Sequence, residues 1–165
     1  MTTDRVAIWQ QELSAARQEL LALLNSLTPE QWQMPVFSEA TTWSVATAVA
    51  HVVEAERGMS IQVHKVRKGE ETVPADFDLA RWNAGVAQRM GSPTPQELLT
   101  LLESTRARTL ATMASLNPED WERTGRHPSR GIITIEQYYA TIAGHDRQHA
   151  ADIRRALGLD NESLK

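Results

Sequence analysis

Apolar residues recur at spacings of three and four along most of the chain, which is the period of an α-helix with one buried face. The first such segment covers residues 4–27. A second begins at an N-cap at Thr42 or Ser44 and runs to about Lys68, where Gly69 ends it. The buried face of the first helix is predicted to carry Val6, Trp9, Leu13, Ala16, Leu20, Leu23 and Leu27.

Three more helices follow from the same pattern and from end signals. A short one is predicted from about Asp76 to Met90, with Leu79, Trp82, Val86 and Met90 on one side. Pro95, directly after an N-cap at Thr94, opens the next. The last begins at Thr134 with Gln137 three residues on, which is a capping-box pattern. Its inward stripe reads Ile135, Tyr138, Ile142, His145, His149, Ile153 and Ala156.

No segment shows sustained alternation of apolar and polar residues, so the predicted class is all-α. A Leu-Thr-Pro-Glu-Gln-Trp segment at 27–32 recurs as Leu-Asn-Pro-Glu-Asp-Trp at 116–121. Each copy follows a long helix and precedes a helix that carries histidine. Residues 1–165 are therefore predicted to form a single domain, a four-helix bundle of two helical hairpins joined by a crossover at about 69–94.

Composition narrows the classes of function. The formal net charge is −4, and the basic residues are spread along the chain, which argues against nucleic acid as a partner. No apolar run is long enough for a membrane helix, and the N-terminus lacks a signal-peptide pattern, so we expect a cytoplasmic protein with no membrane partner. Because there is no cysteine, any thiol chemistry would need a thiol from outside the chain.

His51, His145 and His149 are the candidate metal ligands. His145 and His149 lie four residues apart, so both project from one face of the last helix, in a stripe that is otherwise apolar. His51 lies in the second long helix among small residues, which leave space around its ring. Three neutral imidazoles form a common open site for a divalent metal. Histidines hydrogen-bonded to carboxylates across the bundle are the alternative, because a buried imidazole without a partner costs about 1–3 kcal/mol.

Three carboxylates lie near these histidines in sequence: Glu54, Asp146 and Asp152. Each could orient an imidazole or carry a proton. His64 follows His51 by 13 residues, a rotation that points it towards solvent. His127 is expected in a solvated loop, although the basic residues of that loop could meet an anionic substrate.

The chain resembles the DinB/YfiT-like metalloenzymes over nearly its full length. The resemblance rests on His51 eight residues after Trp43, on Gly-His-Asp-Arg-Gln-His at 144–149, and on the segment at 27–32. It implies a four-helix bundle whose divalent metal, nickel or zinc more than iron, is bound by His51, His145 and His149. Characterised relatives of this kind act with low-molecular-weight thiols, as isomerases or S-transferases.

Three functions remain open at this point. The first is a metal-dependent thiol S-transferase or isomerase that acts with a low-molecular-weight thiol on a small molecule. The second is a metal-dependent hydrolase, and the third is a stress protein that binds metal or a small ligand without turnover. Trp43, Tyr138 and the segment 125–131 are expected to wall the substrate site. We also expect a homodimer, since dimers are the commonest oligomers.

Overall fold

The computed structural model describes residues 2–160 of the chain, which are mainly helical. Its helices are α1 Thr2–Asn25, α2 Val45–Lys68, α3 Leu79–Ala84, α4 Val86–Met90, α5 Pro95–Ala114 and α6 Ile135–Ala156. Its strands are β1 Pro35–Ser38, β2 Thr41–Ser44, β3 Thr124–His127 and β4 Gly131–Thr134. Two short 3-10 turns occupy Gln31–Gln33 and Pro118–Glu122. No helix in this part of the chain is long and apolar enough to cross a membrane.

The long helices begin and end where their capping residues predict. Ser44 caps α2 by accepting from the backbone N–H of Thr47, and Gly69 follows the helix in the left-handed conformation, with φ 71°. Thr94 and Thr134 open α5 and α6 with complete capping boxes. Local sequence therefore determines the ends of these helices.

The four long helices form a bundle with non-sequential pairing. Helix α1 packs mainly on α6, α2 packs on α5, and α2 and α6 meet between them. The apolar stripes supply the buried side chains, although Ala156 at the end of the last stripe is exposed. The predicted all-α four-helix bundle with a crossover is confirmed.

Two β-hairpins precede α2 and α6, and the sequence did not predict them. In each hairpin, strands of four residues pair antiparallel, β1 with β2 and β3 with β4. Such short strands complete barely two alternations, so they leave no periodic signal. The hairpins matter because they bring residues distant in sequence next to the bundle.

The internal repeat extends through these hairpins. In each half of the chain, the repeated segment leads into a 3-10 turn, which a hairpin and then a long helix follow. The tryptophans of the two segments, Trp32 and Trp121, are both buried. Hairpin strand β1 contacts α6, while its counterpart β3 contacts α2, as a two-fold relation between the halves requires. The N-caps Ser44 and Thr134 are 90 residues apart. His51 and His145 are 94 residues apart, so the repeat does not place these two histidines at equivalent positions.

The crossover differs from the single helix predicted for 76–90. The structure has two short helices, α3 and α4, which Gly85 separates. Val86 is fully buried as expected, but Trp82 is 44% exposed, with the Arg89 guanidinium stacked over its ring. The crossover therefore covers the bundle with Val86 and leaves the Trp82 ring at the surface.

Four charged residues, one from each long helix, meet in the core. Arg17 contacts Glu56 at 2.5 Å and Asp146 at 2.8 Å, and Arg106 contacts Glu56 at 2.8 Å and Asp146 at 2.9 Å. The hydroxyl of Thr109 also donates to Glu56. Two positive and two negative charges balance in what we call the core charge cluster, which ties the four helices together next to the histidines of α6.

Candidate metal centre

The structure brings His51, His145 and His149 together. The Nε2 atom of His145 lies 3.2 Å from Nε2 of His51 and 3.0 Å from Nε2 of His149. A fourth side chain, Glu39, places its carboxylate 2.7 Å from His51 and 2.8 Å from His145. One donor atom from each of the four lies within 4.8 Å of every other. We call Glu39, His51, His145 and His149 the four-residue site.

Helix geometry accounts for the three imidazoles. His145 and His149 are one turn apart on α6, and their rings meet edge to face with centroids 4.4 Å apart. His51 faces them from α2, and the indole of Trp43 stacks on its ring at a centroid distance of 4.7 Å. Trp43 therefore packs against His51 from β2, but it is not among the residues that line the cavity, where it was expected as a wall.

Glu39 was not predicted from the sequence. It occupies the two-residue turn between β1 and β2 with φ 50°, followed by Ala40 with φ 60°. Left-handed conformations at both positions are typical of a type I′ hairpin, which favours asparagine and glycine. A glutamate there is conformationally costly, and such strain is concentrated at functional sites. The Ser-Glu-Ala-Thr sequence offers no turn signal from which this could have been inferred.

Ser38 and Asp152 hold the ring of His149. The Ser38 hydroxyl donates to the Asp152 carboxylate at 2.5 Å, so its oxygen accepts from Nδ1 of His149 at 3.2 Å. With the proton on Nδ1, the Nε2 atom presents a lone pair to the other donors of the site. Asp152 thus orients an imidazole, as its position in sequence suggested, but through Ser38 rather than directly.

Burial and hydrogen bonding set the charges of these groups in opposite ways. Burial lowers the pKa of His149 to about 4, so its imidazole is neutral near pH 7. Burial alone would raise the pKa of Glu39, but hydrogen bonds to His145, His149 and His51 outweigh it and hold that pKa well below its usual range. The site thus combines a carboxylate with the neutral imidazole of His149, and both are forms that bind divalent metals.

The other two carboxylates suggested by the sequence are engaged elsewhere. Glu54 accepts two hydrogen bonds from Arg89, at 2.9 and 2.6 Å. Asp146 belongs to the core charge cluster and contacts Arg17 and Arg106. Asp146 therefore bonds to arginines rather than to an imidazole, because the rotation between neighbouring residues of α6 turns it into the core while His145 faces the site.

The remaining histidines differ in their outcomes. His64 is exposed, as predicted. His127 was expected in a solvated loop, but it ends β3, is half-buried and lines a cavity. Its Nδ1 accepts from the backbone N–H of Ser129 at 3.1 Å. Burial, followed by the nearby charge of Arg130, lowers the pKa of His127 to about 4.

A cavity of about 570 Å³ opens onto the four-residue site. Glu39, His51 and His145 line one end of it, and residues 127–130 line another part. Tyr138, expected as a wall, is fully buried and donates instead to the backbone carbonyl of Arg126. The apolar part of the lining comes from α2, the crossover and α6: Ala55, Met59, Ile61, Val73, Phe77, Leu79, Trp82 and Ala140.

Comparison with curated proteins identifies relatives across nearly the whole chain. A Bacillus cereus (strain AH820) protein named "Putative metal-dependent hydrolase" is 26% identical over 154 residues, which cover 93% of this chain and 86% of the relative. Relatives from Bacillus anthracis carry the same name at the same identity and coverage. The chain is thus similar to proteins that are named for metal dependence.

Solved structures show the same fold at lower identity. YfiT from Bacillus subtilis, described as a probable metal-dependent hydrolase with an unusual four-helix bundle topology, superposes with a TM-score of 0.74 at 22% identity, covering 93% of this chain and 87% of YfiT. A mycothiol-dependent maleylpyruvate isomerase gives 0.71 at 16% identity, and the match spans 93% of this chain but only 60% of the isomerase. The colibactin self-resistance protein ClbS, solved in complex with a dsDNA, gives 0.73 at 14% identity over 93% of this chain and 95% of ClbS.

A family model agrees with the fold and with these relatives. The model described as the DinB superfamily matches residues 12–153, which include all four donors of the site and all four long helices in whole or in large part. Because this match covers well over half of the sequence, the chain belongs to the DinB superfamily.

Proposed function

We propose that Glu39, His51, His145 and His149 bind one divalent metal ion, nickel or zinc. We further propose that the protein acts as a metal-dependent thiol S-transferase or isomerase, with a low-molecular-weight thiol as cosubstrate. The observation that carries the proposal is the convergence of three Nε2 atoms and a carboxylate at one end of a cavity of about 570 Å³. Cavities of this size accommodate small-molecule ligands.

The spacing of the donor atoms supports a metal ion. Ligands that share one ion at about 2.0–2.1 Å, in tetrahedral or octahedral geometry, lie about 2.9–3.4 Å from one another. The separations of His145 from His51 and from His149, 3.2 and 3.0 Å, fall in this range. Glu39 lies 2.7 Å from His51, 2.8 Å from His145 and 3.5 Å from His149, within a few tenths of an ångström of the range on either side. The donor set of the site is therefore nearly preformed for one ion.

The imidazoles have too few N–H groups to explain all the close contacts of the site as hydrogen bonds, which favours a metal ion. Nε2 of His145 lies within hydrogen-bond distance of His51, His149 and Glu39. One nitrogen carries at most one hydrogen, so a single N–H cannot serve three partners. His149 cannot supply the missing hydrogen while its Nδ1 proton is donated to Ser38. A divalent cation accepts lone pairs from all four residues at once.

The chain's own residues then have distinct tasks. Ser38 and Asp152 keep the proton of His149 on Nδ1, and Trp43 packs over His51 to restrict its ring. A divalent ion bound here would supply the Lewis acidity that lowers the pKa of a thiol or of water. The crossover residues Phe77 and Trp82 supply apolar lining to the cavity beside the site.

The thiol cosubstrate is inferred from composition and from a structural neighbour. The sequence has no cysteine, so a thiol nucleophile would come from solution. The similarity in fold to a mycothiol-dependent isomerase supports this choice. A net charge of −4 favours a small molecule over nucleic acid as the substrate. We place the protein in the cytoplasm, where low-molecular-weight thiols are kept reduced.

A metal-dependent hydrolase is the second candidate, because the curated relatives carry that name. Hydrolysis needs a general base near the reacting water. Of the candidates from sequence, Glu54 and Asp146 are held in ion pairs with arginine. Glu39 is the carboxylate positioned for that task, and using it as a base would remove a metal ligand. This competition is why we rank hydrolysis below thiol transfer. Binding of a metal or small ligand without turnover is the third candidate.

Kinetics with and without thiol separate the three candidates. The metal-loaded protein is incubated with a chromogenic electrophile and with bacillithiol, mycothiol or glutathione, and His149→Ala is the control. We expect turnover that requires both a thiol and His149. Hydrolysis of ester substrates without thiol would select the hydrolase, and stabilisation by ligand with no turnover would select the binding protein. Equal rates for the two proteins with every thiol would reject metal-dependent transfer.

We also propose that the protein is a homodimer. Large apolar side chains are exposed on the outer surfaces of both hairpins and of α1, where Phe37 is 67%, Ile132 59% and Ile8 61% exposed. Burying such groups against a second copy would remove apolar area from water. Light scattering coupled to size exclusion tests this directly, since a mass of 18.4 kDa would mean a monomer.

A further inference from the structure

The internal repeat relates two histidine positions of the four-residue site to two other positions of the cavity lining. Counted from the N-caps Ser44 and Thr134, the position of His51 in α2 corresponds to Thr141 in α6, and that of His145 corresponds to Ala55. Thr141 and Ala55 both line the cavity. Each repeat thus contributes imidazole to the four-residue site, and at the positions equivalent to His51 and His145 the cavity has a hydroxyl side chain, Thr141, and a small one, Ala55.

The charges that line the cavity are not balanced. Both acidic residues of the lining are engaged, Glu39 by the imidazoles and Glu54 by Arg89. The two basic residues of the lining, Lys65 and Arg130, have no carboxylate within ion-pair distance among the side chains described between residues 4 and 160. Lys65 and Arg130 are therefore the charged groups of the lining with which an anionic ligand could pair.

Arg130 is held in place by Thr141 of α6. Its Nη1 donates to the hydroxyl of Thr141 at 2.6 Å, and that hydroxyl donates in turn to the backbone carbonyl of Gln137. Thr141 lies four residues before His145, which is about one helical turn, or about 5.4–6 Å along the axis. The guanidinium is thus anchored to a residue one turn of α6 before His145.

His127 provides a second donor beside Arg130. Its Nδ1 accepts from the backbone N–H of Ser129, so the neutral ring carries its hydrogen on Nε2. That N–H is available to a ligand in the cavity, which His127 lines. Burial lowers the pKa of His127 to about 4, in agreement with a neutral donor near pH 7.

We propose that this part of the cavity binds the carboxylate of a small amphipathic substrate, with Arg130 pairing with the carboxylate and His127 donating from Nε2. The hydrocarbon part of the substrate lies against Ile61, Phe77 and Trp82. This inference rests on the proposed function, because it supplies the anchor that holds the substrate while its other end reaches the four-residue site. It selects an anionic molecule of limited length over a neutral one.

Calorimetric titration of the metal-stripped protein tests the subsite without reference to turnover. Butanoate, hexanoate and octanoate are compared with hexanamide, the neutral analogue of hexanoate. We expect the carboxylates to bind and Arg130→Gln to weaken them about 10- to 100-fold, the usual effect of losing a charged hydrogen bond. Hexanamide should bind more weakly and be insensitive to the substitution. Arg126→Gln is the matched control, because it removes the same charge from the same hairpin at a position outside the lining.

Several results would overturn the proposal. They are the failure of all three carboxylates to bind the wild type, equal affinity for hexanoate and hexanamide, and equal losses in Arg130→Gln and Arg126→Gln. Because the titration is made without metal, its outcome is independent of whether the four-residue site binds an ion. If turnover does not require metal while the carboxylates still bind, the proposed function is rejected and the proposal of an anion subsite is retained.

Discussion

Ser38→Ala should weaken metal binding although Ser38 is not a ligand. Ser38 is only 2% exposed, and its hydroxyl links Asp152 to Nδ1 of His149. Without it, the proton of His149 can move to Nε2, the atom that faces the other donors. Loss of such a supporting partner typically costs about 10- to 100-fold in metal affinity. That range corresponds to about 1.4–2.7 kcal/mol of binding free energy.

Competition against a chelator of known affinity measures the effect, with circular dichroism to show that the helices remain. Ser104→Ala is the control, since it removes an exposed hydroxyl from α5 away from the site. Asp152→Asn should also lose affinity. Because Ser38 and Asp152 act in series on one ring, the double variant should be scarcely weaker than Ser38→Ala alone. Unchanged affinity in Ser38→Ala, or losses that add in the double variant, would refute the relay.

Three further predictions concern the core, the cavity and pH. Arg17→Met should lower the free energy of unfolding in urea by about 3–5 kcal/mol, because it leaves buried carboxylates with one arginine, whereas Arg108→Met on the exposed side of α5 should change it little. Gly144→Ala should stabilise the protein by about 0.5–1 kcal/mol, because the added methyl group meets no neighbour. It should also weaken carboxylate binding, because Gly144 lines the cavity and the methyl group narrows it. A destabilised variant would show that the helix is strained at this position. As the pH falls from 6.5 to 4, the free energy of unfolding of the metal-free protein should decrease by up to about 3 kcal/mol. The reason is that His149 takes up a proton in the unfolded chain but not in the folded site, where its pKa is about 4. A free energy of unfolding that stays constant across this range in chemical denaturation would contradict the burial argument.

The long helices and their ends were predictable because their information is local. Apolar spacing and the capping residues Ser44, Thr94 and Thr134 determine each helix without reference to its neighbours. The meeting of His145 and His149 follows from the same periodicity. The approach of His51 depends on the packing of α2 on α6, which the apolar stripes make possible.

The hairpins account for what the sequence did not predict. Glu39 and Ser38 reach the site because β1 packs on α6, more than 100 residues further along the chain. Neither the four-residue strands nor the Glu-Ala turn carries a local signal for that contact. His127 was assigned to a solvated loop for the same reason, since β3 packs on α2 at the equivalent place in the second repeat.

The core charge cluster was missed although the sequence carries its signal. Each member lies four residues after one buried residue and three before another, within a stripe that faces the core. The flanking pairs are Leu13 and Leu20, Val52 and Met59, Leu102 and Thr109, and Ile142 and His149. A charged residue at such a position needs a buried partner of opposite sign, and the four helices supply two of each. Counting charges inside apolar stripes would have identified the cluster.

Metal content of the wild type and of His51→Ala tests the central claim most directly. Elemental analysis after loading with nickel or zinc and removal of free ion should give one equivalent per wild-type chain. His51→Ala should not bind a stoichiometric amount of metal, while circular dichroism should show the same helical content, because the substitution leaves the apolar contacts of α2 in place. His64→Ala, which removes an exposed histidine from the same helix, should bind one equivalent. A full equivalent of metal retained by His51→Ala, or none bound by the wild type, would contradict the assignment of the four-residue site.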